Sequence, residues 1–435
     1  MSNDTPVTVE TARKRVVLFV FLTAFLDLIG FGIILPLLPF YVDSMGGSAE
    51  TVGLIFMSFS LMQLAATPLL GRMSDRFGRR KVILLSLAGN AAAMIAFALA
   101  TKLLWLPLLF ASRIFAGATS GNLAACQAAI SDVTNAQNRA EAMGRLGAGI
   151  NLGLILGPLL GSTLSEIGAW APPLGAGALA LVDLGFAFFL MPETRRTAGG
   201  VGAAEGDRIA YPAAADAVVP AAVITSGEHI GLGASMPLRP SQGPLLHALR
   251  NRAVIAVLLA HFLTFLCITN MQVALGLLAK RELDWGTREV GALFSMFALL
   301  SFSVQAFFIG RLVRRFGEAP LVMVGSASMA AGLVLIAQGH SAATLFIGVA
   351  IFGAGFGMTL PALASLASLA ATEGTRGFVL GMAQSSGGLA RALGPVLSGI
   401  LFRRVAPSAP FLGGAVAALL CAAVGTTLRT TGRRS

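Results

Sequence analysis

Five ionisable side chains lie inside long apolar stretches of the sequence, where little water is available to solvate a charge. They are Asp27, Arg113, Asp183, His261 and Arg391. Placing a charge at the centre of a membrane-crossing helix costs about 2.5 to 3.5 kcal/mol, so such residues usually face a bundle interior and have a function. All five are therefore candidates for a functional site. For His261, a neutral ring bonded to a backbone carbonyl is an equal alternative to carrying a proton.

Amide side chains occur in the same apolar stretches and can hydrogen-bond a bound molecule. Together with two of the ionisable side chains, they give six candidates for a substrate cavity: Asn122, Gln127, His261, Gln305, Gln384 and Arg391. For most of the amides, a hydrogen bond between neighbouring helices is the alternative role.

Membrane-spanning helices are the elements that must position these residues. Of the 435 residues, 56% are hydrophobic and 12% are charged, whereas soluble domains carry about twice that charged fraction. Apolar runs long enough to cross about 30 Å of hydrocarbon occur twelve times, which predicts an all-α membrane protein. The runs, numbered spans 1 to 12, lie near 16–41, 51–70, 82–100, 104–130, 143–165, 170–191, 253–279, 290–309, 319–338, 342–370, 378–402 and 409–428.

The two sets of six spans resemble each other in sequence. GRMSDRFGR at 71–79 returns as GRLVRRFGE at 310–318, and LGPLLG at 156–161 returns as LGPVLS at 393–398. The near-constant offset indicates a duplicated six-span unit. Such repeats are typical of secondary transporters, in which two bundles rock about a central site.

The duplication divides the chain into three parts. We predict two pseudo-symmetric six-helix bundles over residues 1–191 and 251–435. The segment 192–250 between them is rich in Ala, Gly and Pro and has no sustained apolar period, so it is predicted to be a cytoplasmic linker.

Charge and cysteine placement limit the partners of the chain. The net charge of +11 comes from short runs of Lys and Arg beside apolar stretches, which does not favour a nucleic acid partner. If the N-terminus is cytoplasmic, most Lys and Arg lie on the cytoplasmic side. This bias predicts that both termini are cytoplasmic. Cys126, Cys267 and Cys421 lie far apart in apolar stretches, so no disulfide, metal site or cofactor is predicted.

A motif rich in glycine and arginine, GRMSDRFGRRK, follows span 2. Gly71 is expected to let two helices approach closely, and Asp75 to bind an arginine or a helix N-terminus. The arginines are expected to hold the loop at the anionic cytoplasmic surface, and a purely topogenic loop is the alternative. The six candidate residues of the motif are Gly71, Asp75, Arg76, Gly78, Arg79 and Arg80.

A second motif, GLILGPLLG at 153–161, lies in span 5. Gly153, Gly157 and Gly161 share one helix face, and Pro158 removes a backbone hydrogen bond. The pattern predicts a helix that bends and packs closely against a neighbour.

With RIFAG of span 4, which carries Arg113, these motifs resemble those of the major facilitator superfamily, and within it the twelve-span drug:proton antiporters. The resemblance implies a conformational switch after span 2, a role for Arg113 in proton coupling, and an export direction marked by span 5. A structural ion pair between spans 4 and 1 is the alternative for Arg113. For span 5, where Ser162 replaces a usual glycine, a packing kink without directional meaning is the alternative.

Three segments are similar to the tetracycline exporters of this superfamily. They are DLIGFGIILPLLP in span 1, RIFAGATSG with the ISD that ends at Asp132, and ALLSFSVQAFFIGRLVRRFGE at 298–318. Span 3 is apolar around Ala93 where those exporters carry an acid, and Ser301 stands where they carry a histidine. Proton coupling must then use other groups, and a broader range of drugs is expected.

Asp27 and Arg113 enter the membrane by roughly 16 and 14 Å at 1.5 Å per residue, so we expect them to meet near the midplane. Making and breaking this pair would change the proton affinity of the carboxyl group, with Asp183 as the alternative proton carrier. The overall expectation is a monomeric, proton-coupled exporter of small drug-like molecules, of tetracycline type or broader. An uptake carrier for a sugar or organic acid is the alternative within transport. A membrane sensor or enzyme is the alternative outside it, although no catalytic motif is found.

Overall fold

The computed structural model describes residues 6–134, 136–194, 251–371 and 376–431. Apart from residues 192–194, the predicted linker lies outside these ranges. The N-terminal bundle contains span 1 (Pro6–Ile34), a short helix (Leu38–Ser44), span 2 (Ala49–Phe77), span 3 (Arg79–Leu103), span 4 in two helices (Leu106–Thr119 and Asn122–Val133), span 5 (Ala136–Ser165) and span 6 (Ala171–Leu190).

The C-terminal bundle repeats this order. It contains span 7 (Arg252–Leu283), span 8 (Thr287–Ser303, a π turn at Val304–Phe308 and Ile309–Phe316), span 9 (Glu318–Ala337), span 10 (Ala342–Ala370), span 11 (Arg376–Arg404) and span 12 (Ala409–Thr431). The predicted all-α fold with twelve spans is confirmed. Because each span reverses direction, both chain termini lie at one end, called the proximal end; the opposite end is called the distal end.

Among the described residues, ten of the twelve spans are long and apolar enough to cross a membrane by length and composition. Span 11, which carries several arginines, and span 4 are the exceptions. Span 4 was expected to be continuous over 104–130, but its helix breaks at Ser120 and Gly121. The Ser120 hydroxyl donates to the Gly117 carbonyl at 2.8 Å and so ends the first helix. A Cβ on Gly121 would collide with Leu70, so only glycine fits beside span 2 at the break.

The outer surface of the helices suits a lipid environment. Large apolar side chains such as Leu18, Phe189, Leu369 and Val416 are more than half exposed. Water does not tolerate so much exposed apolar surface on a monomeric protein, whereas bilayer hydrocarbon does. The chain is therefore a multi-pass membrane protein.

Two pairs of helices join the bundles: span 2 packs on span 11, and span 5 packs on span 8. A glycine makes each approach close. A Cβ on Gly53 would collide with the carbonyl of Pro395, and a Cβ on Gly291 would lie 2.8 Å from the carbonyl oxygen of Pro158. The two glycines and the two prolines occupy equivalent positions in the duplicated sequence, so the interface is pseudo-symmetric.

The π turn in span 8 explains why the repeat offset is not constant. The segment from Gly291 to Gly310 is one residue longer than its equivalent from Gly53 to Gly71. The turn at Val304–Phe308 lies inside this longer segment. A single π turn absorbs one extra residue within a continuous helix. Both ends of span 8 therefore stay aligned with the corresponding ends of span 2 in the first repeat.

Candidate functional site

A polar cluster lies inside the N-terminal bundle, around Asp27 of span 1. The Asp27 Oδ1 atom accepts a hydrogen bond from Asn90 Nδ2 of span 3 at 3.1 Å. Asn122, at the start of the second helix of span 4, also hydrogen-bonds Asp27. Asp27 and Asn90 are half-buried, whereas Asn122 is buried. Asn122 was predicted to contact substrate directly; its contact in the structure is with this carboxylate.

Asp183 of span 6 belongs to the same cluster. The hydroxyl of Thr23, one helical turn before Asp27, donates to Asp183 Oδ1 at 2.9 Å. Only 1% of Asp183 is exposed, and its Oδ2 atom has no hydrogen-bond partner among the described residues. Asp27 and Asp183 lie close enough to interact electrostatically, and both also interact with Cys126. One half-buried and one buried carboxyl group thus belong to the same polar cluster.

The structure contradicts the predicted pairing of Asp27 with Arg113. The buried Arg113 guanidinium lies over the ring of Phe97, with Cζ 4.6 Å from the ring centroid, and its Nη2 atom lies 3.5 Å from Met94 Sδ. The Asp27 carboxylate is hydrogen-bonded instead by the side-chain amides of Asn90 and Asn122. Counting residues along a helix gives the depth of a side chain but not its direction, and the guanidinium of span 4 points to the aromatic face of span 3.

A cleft lies between the two bundles. Its walls come from spans 1 and 5 of one bundle and spans 7 and 8 of the other. Three phenylalanine rings dominate the walls, with a few polar groups between them. The lining residues that bear on binding are Phe31, Phe294, Phe297, Asn151, Gln272 and Ser301. Asn151 and Ser301 were not among the predicted cavity residues, because a lone polar residue in an apolar span gives no sign of which helix face it occupies.

Three of the predicted cavity residues lie in spans 8 and 11 of the C-terminal bundle. Gln305 donates from Nε2 to Ser301 Oγ at 3.0 Å, and Ser301 lines the cleft. Arg391 is half-buried, with its guanidinium Cζ 4.7 Å from the Phe265 ring centroid. Gln384 is buried on the same helix, two turns before Arg391. In the N-terminal bundle, Gln127 is half-buried in the second helix of span 4.

His261 has the contact given above as the alternative to proton carriage. Its Nδ1 atom lies 3.1 Å from the carbonyl oxygen of Val257, one turn earlier in span 7. A carbonyl can only accept, so Nδ1 carries the proton and the ring is satisfied as a neutral group on that side. The structure therefore gives His261 no link to the carboxyl cluster in the opposite bundle.

Arg79 is the centre of the motif that follows span 2. Its guanidinium binds Asp75 within the motif and donates from Nε to Asp132 Oδ2 of span 4 at 3.1 Å. Its backbone N–H donates to Glu193 Oε1, beyond the end of span 6, at 2.8 Å. The motif thus ties the proximal ends of spans 2, 3, 4 and 6 together.

The other motif residues have less central roles. Arg80 donates from Nη2 to the Phe188 carbonyl at 2.6 Å, and Arg76 lies over the ring of Phe77. Gly78 has a φ of +105°, a conformation that side chains rarely adopt, and a Cβ there would collide with Glu193. The expectation that Gly71 brings two helices together is wrong, because a Cβ on Gly71 would have nothing within 4 Å. The close neighbour of Gly78 is the Glu193 carboxylate rather than a second helix.

Replacing Asp75 with asparagine is expected to leave insertion intact and to slow transport several-fold. The change removes one charge from the Arg79 site but leaves the contact of Arg79 with Asp132, so the bundle should fold. Transport assays at matched expression provide the measurement. Normal transport would remove the reason for assigning a switching role to this motif.

The glycines of span 5 face span 1, as the motif predicted for one helix face. A Cβ on Gly153 would lie 2.7 Å from the Phe25 carbonyl oxygen, and a Cβ on Gly161 would lie 2.6 Å from the Ile33 carbonyl oxygen. Pro158 remains inside a helix that runs without interruption over Ala136–Ser165. Spans 1 and 5 are therefore in backbone contact along most of their shared length.

Two pseudo-symmetric six-helix bundles around a central cleft define the class of secondary membrane transporters. The family model for the Major Facilitator Superfamily matches residues 20–271 and 257–434. The chain belongs to this superfamily.

Individual relatives are similar over nearly the whole chain. Major facilitator superfamily domain-containing protein 10 of Bos taurus is 29% identical, over 95% of this chain and 91% of its own. The class C tetracycline resistance protein of Escherichia coli is 29% identical over 86% of each chain. The crystal structure of the human organic anion transporter MFSD10 has a TM-score of 0.66 and 26% identity, covering 95% of this chain and 99% of its own.

Proposed function

We propose that this protein exports small drug-like molecules across the plasma membrane of a bacterium in exchange for protons. It works as a monomer with both termini in the cytoplasm, and its two bundles expose the central cleft alternately to either side. The observation that carries the proposal is the pair of carboxyl groups, half-buried Asp27 and buried Asp183, in one polar cluster inside the N-terminal bundle. Ionisable groups at such depth are typical of proton pathways.

The carboxyl pair offers a simple route for coupling. Two negative charges close together in an apolar site repel each other, and one bound proton removes that repulsion. Half-buried Asp27 can exchange this proton with water when the cleft opens, while buried Asp183 cannot reach water directly. The Asn90 and Asn122 amides hold the Asp27 carboxyl group in place in either protonation state. Asp27 therefore carries the proton, and Asp183 sets the free energy of its binding.

The cleft favours an aromatic, mostly uncharged substrate. Three phenylalanine rings supply stacking surfaces, and Asn151, Gln272 and Ser301 supply a few oriented hydrogen bonds. The similarity to tetracycline resistance proteins supports the same substrate class. The experiment is the drug susceptibility of a pump-deleted host that expresses this chain, with and without a protonophore. Resistance that the protonophore abolishes supports the proposal, and unchanged susceptibility to every drug class tested contradicts it.

Organic anions are a second candidate substrate class, favoured by the half-buried guanidinium of Arg391 and by the similarity to a human organic anion transporter. If the substrate is anionic, replacing Arg391 with glutamine is expected to lower transport of anionic molecules about tenfold. Transport of neutral molecules should be unaffected. The matched control is Arg281→Gln, at an exposed arginine on the distal end of span 7. Equal loss for both kinds of substrate would assign Arg391 a structural role.

A further inference from the structure

The ion pairs that join the two bundles, among residues whose side chains the structure describes, all lie at the distal end. Glu50 of span 2 accepts from Arg403 at 3.0 Å and from Arg404 at 2.7 Å, both at the end of span 11. Glu166 lies 3.9 Å from Arg288 of span 8, and Asp43 binds Lys280 of span 7. In each case the acid belongs to the N-terminal bundle and the base to the C-terminal bundle.

Two of these pairs occupy equivalent positions in the duplicated sequence, but with the charges exchanged. Glu50 corresponds to Arg288 at the offset of Gly53 to Gly291, and Glu166 corresponds to Arg403 at the offset of Pro158 to Pro395. Identical charges in both repeats would also have given two ion pairs, with each bundle carrying one acid and one base. The exchange instead places the acids of both pairs on the N-terminal bundle and the bases of both pairs on the C-terminal bundle.

The consequence is a pair of complementary distal surfaces. The acidic rim consists of Asp43, Glu50 and Glu166, and the basic rim of Lys280, Arg288, Arg403 and Arg404. Most members are exposed, so each pair alone contributes little. Because the paired residues are all acids on one rim and all bases on the other, each rim acid attracts every rim base, and the attraction persists when the rims move past each other or begin to part.

Close packing between the two bundles lies directly beside the rims. A Cβ on Gly399 would collide with the backbone of Ala49, next to Glu50. On the other side of the interface, the hydroxyl oxygens of Ser165 and Thr287 lie 2.5 Å apart. Separation of the distal ends therefore breaks these contacts together with the ion pairs.

We propose that the two rims form an electrostatic seal that holds the distal entrance closed in one of the two alternating states. The inference rests on the alternating-access part of the proposed function. It is independent of proton coupling and of substrate identity. Loss of the seal increases the fraction of protein molecules in the state that is open at the distal end.

Disulfide trapping tests the seal without any transport assay. Cysteines introduced by Ser165→Cys and Thr287→Cys should crosslink readily, because the two hydroxyl oxygens are already in contact. The native cysteines are all buried and distant from this contact. Adding Glu50→Lys and Glu166→Lys is expected to slow crosslinking in membranes about tenfold, since attraction at the rims becomes repulsion.

Two further variants distinguish the seal from general damage. Glu282→Lys makes a single glutamate-to-lysine change on the distal face, at a residue whose ion pairs in the described part of the chain are within its own bundle, with His340 and Arg281. Its crosslinking rate should equal that of the parent. Adding Arg288→Glu, Arg403→Glu and Arg404→Glu to the double lysine variant should restore the crosslinking rate, because the charges of the two rims are then exchanged and attract each other again. An unchanged rate in the double lysine variant, or no recovery after the exchange, would overturn the proposal. Either result would leave proton-coupled export untouched.

Discussion

Replacing Asp27 with asparagine is expected to reduce substrate-coupled proton flux to less than about one tenth of the wild-type rate. Asparagine has nearly the same shape and keeps an oxygen that can accept from Asn90, so the cluster around Thr23 and Asp183 should remain folded. It cannot bind and release a proton. Proteoliposomes with an imposed pH gradient allow substrate movement and proton flux to be measured together.

A matched control is the same substitution at an exposed carboxylate. Asp284 ends span 7 with a φ of +51°, a conformation that asparagine also tolerates, and its side chain lies outside the bundles. Asp284→Asn should therefore transport normally. If Asp27→Asn keeps wild-type coupled flux while Asp183→Asn loses it, the roles of the two carboxyl groups are the reverse of those proposed. If both variants keep wild-type flux, this cluster is not the coupling site.

Replacing Gly157 with leucine is expected to abolish transport. A Cβ at this position would lie 2.7 Å from Gly32 Cα and 2.8 Å from the Ile29 carbonyl oxygen, so both contacts are with backbone that cannot move aside alone. Forcing a larger side chain into such packing costs about 1 to 3 kcal/mol and separates the helices. Spans 1 and 5 both line the cleft, so their separation distorts the substrate site.

Gly185→Leu is the control for this substitution. A Cβ on Gly185 of span 6 would have nothing within 4 Å, so the same increase in volume should leave transport near the wild-type rate. The two variants should be compared at equal amounts of protein in the membrane. Wild-type transport by Gly157→Leu would show that spans 1 and 5 do not need their close contact for function.

The sequence was sufficient to predict the twelve spans and the duplication, because both rest on composition and on periodic repetition. It also predicted that Gly153, Gly157 and Gly161 share one packed face, since helical spacing alone determines that face. It did not predict the partner of Arg113. Residue counting gives depth in the membrane, whereas the choice between Asp27 and the Phe97 ring depends on how spans 1, 3 and 4 are rotated.

Other features depended on tertiary packing in the same way. The break in span 4 arises where Gly121 meets Leu70, which lie far apart in sequence. The open surroundings of Gly71 and the crowded surroundings of Gly78 could not be distinguished from the motif. Asn151 was missed because its position in the cleft depends on span 5 facing span 8 across the bundle interface.

Transport by the purified wild-type protein in proteoliposomes, driven only by a pH gradient, tests proton-coupled export most directly. We predict that a labelled drug moves against the direction of proton flow, with both fluxes measured in the same vesicles. The drug movement should stop when an ionophore collapses the gradient. Drug movement at the same rate with and without the gradient would contradict proton coupling and would leave a transporter driven by substrate concentration alone.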